Sequence, residues 1–248
     1  MRTPNEELAA ELSASHTVYL PDRRGRGLSG PHRTDHDIQT ELDDLAALLA
    51  ATGARDILGV SSGAIIALEA GLRLPDLGRI AIFEPPLIVG DSLSVAFVAR
   101  YREELARGDL AAALVTGMKG SKMGPPLFAY VPRSLLRVLT AAAMRRQERE
   151  QRPPEVSMRV LAPTLGYDFR LVEQVRDRLG VYADISAEML LLGGEVSPAY
   201  LRTAMDALAA ALPEARRVVL YGMGHGATGN ARYGGRPQAV APYLREFF

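Results

Sequence analysis

The 248-residue sequence predicts an α/β fold, a mainly parallel sheet flanked by helices with a helical insertion in its middle. Three observations predict it. Between residues 37 and 85, strand-like and helix-like stretches alternate with short connections, the signature of a parallel sheet covered by helices. From about residue 90 to 183 the alternation breaks into helical segments with no convincing strand. The rhythm then returns and runs to the end. The chain therefore divides into a core, residues 1–90 and 184–248, and a stretch 91–183 holding an inserted helical unit and the core helix that follows it.

Taken in order, residues 5–14 read as a short amphipathic helix. "HTVYLPD" is an apolar run rich in β-branched and aromatic residues that ends in the turn chemistry of "DRRGRGLSGP", so a strand and then a loop are predicted. From Asp37, the residues Ile38, Leu42, Leu45, Leu48 and Leu49 have helical spacing, Gly53 closes the helix, and "DILGV" follows as a buried strand. A helix after Ser61 leads to the strand "RIAIFEPP". The helical stretch contains "LSVAFVARYREELARG", "RSLLRVLTAAAMRRQER" and "DFRLVEQVRDRL", punctuated at "GMKGSKMGPP" and "RPPEVS". The strand "AEMLLLGG", the helix "YLRTAMDALAAALP", the strand "RRVVLYG", the loop "GMGHGATGN" and the helix "PQAVAPYLREFF" complete the chain.

A hydrophobic content of 48% with 23% charged residues is enough for one large core, or a core plus an insertion. The 29 basic and 29 acidic side chains cancel, so no nucleic-acid or membrane-surface partner is expected, and the arginine-rich "MRRQEREQR" reads as a solvated helix face. The absence of cysteine excludes disulfides, thiolate catalysis and Cys-ligated zinc. No apolar run approaches the ~20 residues of a membrane helix, and the start "MRTPNEELAAELSASH" has no signal-peptide core, so cytoplasm is the expected location. The expected partner is a small-molecule substrate, with no cofactor and no metal. "HRTDH", with His32 and His36, could hold a metal in principle, but a solvated loop is the simpler reading.

The chemistry centres on Gly59-Val60-Ser61-Ser62-Gly63, a G-x-S-x-G spacing in which small residues let a strand turn sharply into a helix and leave the serine hydroxyl exposed on a strained elbow. A serine needs a base, and the base needs a carboxylate to hold its tautomer and stabilise its cationic form. His225, in a glycine-rich turn after the last strand, is the one good base; His16 precedes a predicted strand, and His32 and His36 sit in a polar loop.

In sequence, "VYLPDRRGRGLSG", "LGVSSGAIIALEA", "FEPP", "LLLGG" and "GMGHGA" resemble consecutive landmarks of the α/β-hydrolase family from about residue 7 to the C-terminus. The resemblance implies Ser61 as nucleophile and His225 as base. In many relatives the acid follows the strand that here reads "AEMLLLGG", but "GGEVSP" places Val196 or Ser197 there. The resemblance then favours Glu84, at the end of the strand after the nucleophile, with Glu195 and Asp168 as alternatives; Asp168 also reads as a helix N-cap. It implies a structural role for Asp22 and for Arg23, Arg24 and Arg26, with a substrate role for one of these arginines as the alternative; by composition, Met118, Met123, Leu127, Phe128 and Tyr130 in "GMKGSKMGPPLFAYVP" read as either core or an apolar substrate pocket.

The family's oxyanion hole takes one backbone N–H from the residue after the nucleophile, here Ser62, and a second from a His-Gly loop that the sequence does not contain. By that resemblance the chain reads as N-terminally truncated, lacking three early strands, one of which would lie between "HTVYLP" and "DILGV". Those two stretches are therefore expected to pair directly in a sheet of about five strands, or the slot to be filled by another chain. Direct pairing would bring a backbone N–H near Arg23 or Arg24 towards the oxyanion. The resemblance implies a serine hydrolase of esters, thioesters or lactones; the alternatives are an impaired relative that binds without turnover, and a cofactor-free lyase or cyclase.

Overall fold

The computed structural model describes residues 4–33, 35–123, 128, 130–150 and 157–248. Its centre is a four-stranded sheet, all parallel, in the order β1 (Ile57–Val60), β2 (Arg79–Phe83), β3 (Glu188–Gly194) and β4 (Arg216–Leu220). In β2 and β3 both faces are apolar, as a doubly covered parallel sheet demands. Ile80, Ile82, Met189 and Leu191 pack against α2 (Ile38–Thr52), α3 (Ser62–Arg73) and α9 (Ala199–Ala211) on one side. Ala81, Phe83, Leu190 and Leu192 pack against α1 (Glu6–Leu12) and α10 (Pro237–Phe247) on the other. The period of two along each strand thus sorts one sequence into two hydrophobic layers.

Local chemistry sets the helix boundaries. Asp37 caps α2 by accepting from the Thr40 N–H, and Gly53 ends the helix in the left-handed region at φ 71°. Between β2 and β3 run α4 (Phe97–Ala106), α5 (Leu110–Gly120), α6 (Arg133–Glu150), α7 (Met158–Leu161) and α8 (Leu165–Gln174). Ala111, Leu114, Met144 and Ala162 give this inserted unit a small core of its own. On α6, Leu136 and Met144 face inward while Arg145 and Arg146 are exposed, the solvated face expected of that stretch; Gln151 and Arg152 lie outside the described residues. Among the described residues, no helix is long and apolar enough to cross a membrane.

The expected strand "HTVYLP" does not form and does not pair with "DILGV", and among the described residues the sheet has four strands rather than about five. The stretch leaves α1, which is docked against α10, and enters a loop tied to α2 by Arg24 on Asp44, at 2.6 and 2.9 Å. Fixed at both ends, it crosses the open side of β1 without forming a ladder. Val18 packs on the α1/α10 layer, while Tyr19 and Leu20 are exposed. Val18 to Pro21 and Ile57, Leu58 and Val60 line the same cavity of about 870 Å³. Strand propensity is a statement about fit to a neighbouring strand, and here the edge of β1 stands across a cavity rather than within pairing distance.

Candidate active site

At the end of β1 the chain reverses into α3 through Ser61, which holds φ 55° and ψ −122°, a conformation that side-chain-bearing residues seldom adopt. Two contacts hold it there. The Ser61 N–H donates to the Phe83 carbonyl at 2.9 Å, and the Ala64 N–H donates to the Ser61 carbonyl at 2.9 Å. The two motif glycines differ in role. A Cβ on Gly59 would stand 2.5 Å from the Gly63 carbonyl oxygen and 2.6 Å from Ala64 Cα, so strand and helix touch only because Gly59 has no side chain. A Cβ on Gly63 would meet nothing within 4 Å.

The loop after β4 brings His225 over the elbow. It is pinned by the Val196 N–H donating to the Met223 carbonyl at 3.0 Å, and Gly194 makes the approach possible, since a Cβ there would stand 2.3 Å from that same carbonyl oxygen. His225 Nε2 lies 3.1 Å from Ser61 Oγ and its Nδ1 lies 2.7 Å from Glu84 Oε2. Glu84 is fully buried, with φ 47°, and its other oxygen accepts from the Gly194 N–H at 2.6 Å. Both oxygens of a buried carboxylate are thus engaged, as its desolvation requires. A serine, an imidazole and a carboxylate stand in one hydrogen-bonded line.

The other acids are elsewhere. Glu195 is exposed and accepts from the Gly222 N–H at 2.9 Å. Asp168 is neither the acid partner of His225 nor an N-cap: α8 is preceded by Thr164, and Asp168 in its first turn binds Arg23 at 3.0 Å and Arg26 at 2.5 Å. Burial works against its charge, but Arg26 and then Arg23 outweigh that and hold its carboxyl below the usual range. Asp22 has the structural part expected of it, accepting from the Leu28 N–H at 3.0 Å.

His36 is not in a solvated loop. It is fully buried, with Nε2 2.9 Å from Glu41 Oε1, because Glu41 lies on the covered side of α2 and needs a partner. His32 stacks on Tyr167 with ring centroids 3.5 Å apart, and burial, His36 and Arg26 push it down to about 4. Among the described residues no three His, Cys, Asp or Glu side chains are grouped to hold a metal. Of the residues expected to form either core or an apolar pocket between β2 and β3, Met123 and Tyr130 are exposed, Met118 and Phe128 are half-buried, and Leu127 lies outside the described residues. The sequence reading missed Glu41, whose place beside Ile38, Leu42 and Leu45 on an apolar helix face was the available sign of a buried ionic partner.

Comparison with known proteins bears on the fold and the family. The model of the Alpha/beta hydrolase family matches residues 3–242. An alpha/beta hydrolase from Sphaerobacter thermophilus is 32% identical, with a TM-score of 0.75 over 99% of this chain and 88% of that one. The 2-(acetamidomethylene)succinate hydrolase of Mesorhizobium japonicum is 26% identical over 224 residues, 89% of this chain and 76% of that enzyme. A thermophilic esterase from Thermogutta terrifontis, 18% identical with a TM-score of 0.64 over 98% of this chain and 85% of that one, shares the fold. With the elbow serine, the buried carboxylate and the bridging histidine on one parallel sheet, the chain belongs to the alpha/beta hydrolase family.

Proposed function

We propose that the protein is a serine hydrolase that cleaves an ester, thioester or lactone bond of a small apolar substrate through an acyl-enzyme. The observation that carries the reading is His225, 3.1 Å from Ser61 Oγ on one side and 2.7 Å from Glu84 on the other. In this reading His225 Nε2 takes the proton from Ser61 as its oxygen attacks the carbonyl carbon, and returns it to the leaving group as the tetrahedral intermediate collapses. Glu84 accepts from Nδ1–H, fixing the tautomer that leaves Nε2 free and stabilising the imidazolium. Water then repeats the sequence on the acyl-enzyme. The Ser62 N–H, at the start of α3, is one donor to the oxyanion.

The Mesorhizobium relative is named for a succinate derivative. Here the cations beside the elbow, Arg23 and Arg26, are already matched by Asp168 and Glu41, which supports an uncharged substrate over a dicarboxylate. A second reading, binding without turnover, is favoured by residues 17–22 staying outside the sheet, so that no strand holds a backbone N–H of Arg23 or Arg24 as second oxyanion donor. A panel of p-nitrophenyl esters of increasing acyl length separates the two. Turnover preceded by a burst of one p-nitrophenol per chain, lost in Ser61→Ala, supports the acyl-enzyme; saturable ester binding with no release above the Ser61→Ala background supports the second.

A further inference from the structure

The loop that follows residues 17–21 carries a guanidinium to the far side of the elbow. Arg23 Nη1 donates to Ser62 Oγ and to Asp168 Oδ1, each at 3.0 Å, while its Nε and Nη2 hold both oxygens of Glu41 at 3.0 and 2.5 Å. Arg26 takes the other oxygen of Asp168 at 2.5 Å. One side chain therefore joins the first residue of α3 to α2 and to α8. Two arginines face two carboxylates in this cluster, with His36 also on Glu41, so both cations are already matched and the cluster is not built to receive an anionic ligand.

What the cluster does reach is Ser62. As the first residue of α3, Ser62 has one of the N–H groups that no helical carbonyl can satisfy. A serine in such a place readily turns its hydroxyl onto neighbouring backbone groups, competing with anything the helix start is meant to bind. Here the hydroxyl is already committed. Its oxygen receives the Arg23 N–H at 3.0 Å, and the same Nη1 is held by Asp168 Oδ1 at 3.0 Å.

We propose that Arg23, braced by Glu41 and Asp168, is a positioning residue that holds the Ser62 side chain away from the elbow and so keeps the Ser62 N–H aimed at the oxyanion. The proposal rests on the reading of Ser61 as nucleophile. Because Asp168 belongs to α8, beyond the inserted unit, the donor is in place only when α8 is seated against the core.

Arg23→Lys keeps the charge but cannot reach three acceptors, and Ser62→Ala removes the handle without leaving a buried charge, so both variants test the role with the fold retained. Two measurements are made on each and on the double variant: amide hydrogen exchange at Ser62, and the rate of phosphonylation by a fluorophosphonate. In Arg23→Lys, exchange at Ser62 is expected to quicken by about tenfold with Leu68 and Ala70 unchanged, and the maximal phosphonylation rate to fall by about tenfold at unchanged half-saturating probe concentration. The double variant is expected to fall no more than about twofold below the lower single variant, since the two residues act as one unit. Unchanged exchange at Ser62, or phosphonylation losses that multiply in the double variant, would overturn the role. A wild-type chain that resists the probe while its Ser62 exchange still responds to Arg23→Lys would instead overturn the hydrolase reading and leave the positioning of Ser62 in place.

Discussion

Glu84 holds two hydrogen bonds from a fully buried position, and the chemistry proposed for it depends on which atom faces His225. In Glu84→Gln one side-chain oxygen can still accept from the Gly194 N–H, but the amide NH₂ then points at Nδ1 and favours the imidazole tautomer that protonates Nε2. Ester turnover is expected to fall by about 10²- to 10⁴-fold with KM little changed, as for a triad whose histidine is held in the wrong tautomer. A loss of folding without a specific kinetic loss, seen as a lowered Tm with near-normal kcat in the folded fraction, would make Glu84 a structural carboxylate. At this scale the hydrogen-bonded line of Ser61, His225 and Glu84 was legible because each member follows or closes a strand where punctuation is visible: glycines around Ser61 and His225, prolines after Glu84. Asp168 and His36 were not. Asp168 meets Arg23 across 145 positions of sequence, and His36 is explained by a carboxylate that a polar loop does not advertise.

Among the elements, the turn from β1 into α3 sets the geometry of the elbow, and its two glycines separate packing from motif. Gly59→Ala would drive a methyl group into the backbone of Gly63 and Ala64, so the strand and helix must part; a loss of about 1–3 kcal/mol in unfolding free energy and of most activity is expected. Gly63→Ala meets open space inside a helix, where alanine is favoured over glycine by about 1 kcal/mol, and is expected to be neutral or stabilising in a urea titration. Equal destabilisation by both would mean that Gly63 is packed in a way its surroundings do not show. Strands β1 to β3 were readable because buried parallel strands are short, continuous apolar runs. "HTVYLP" reads the same way and is not a strand, since its conformation depends on a neighbour that no local pattern reports.

The whole molecule leaves β1 with a partner on one side, and among the described residues its other edge faces the cavity of about 870 Å³. Open edges flanked by apolar side chains invite pairing with another chain. Sedimentation velocity is expected to show association that grows with protein concentration and is suppressed by Leu20→Lys, which sets a charge on the exposed stretch beside that edge; a monomer at all concentrations would show that the edge is not a pairing surface. The sequence led to a larger sheet because it shows which segments can be strands, not which will meet. The catalytic account stands apart from this question, since Ser61, His225 and Glu84 are all carried on paired ends of the sheet or on the loop that closes over them. Its most direct test is to treat the protein with a fluorophosphonate and locate the adduct by peptide mass mapping. The account expects a single adduct on Ser61, absent in Ser61→Ala and formed at least about 100-fold more slowly in His225→Ala; an adduct on another serine with Ser61 unmodified, or labelling of Ser61 undiminished in His225→Ala, would contradict it.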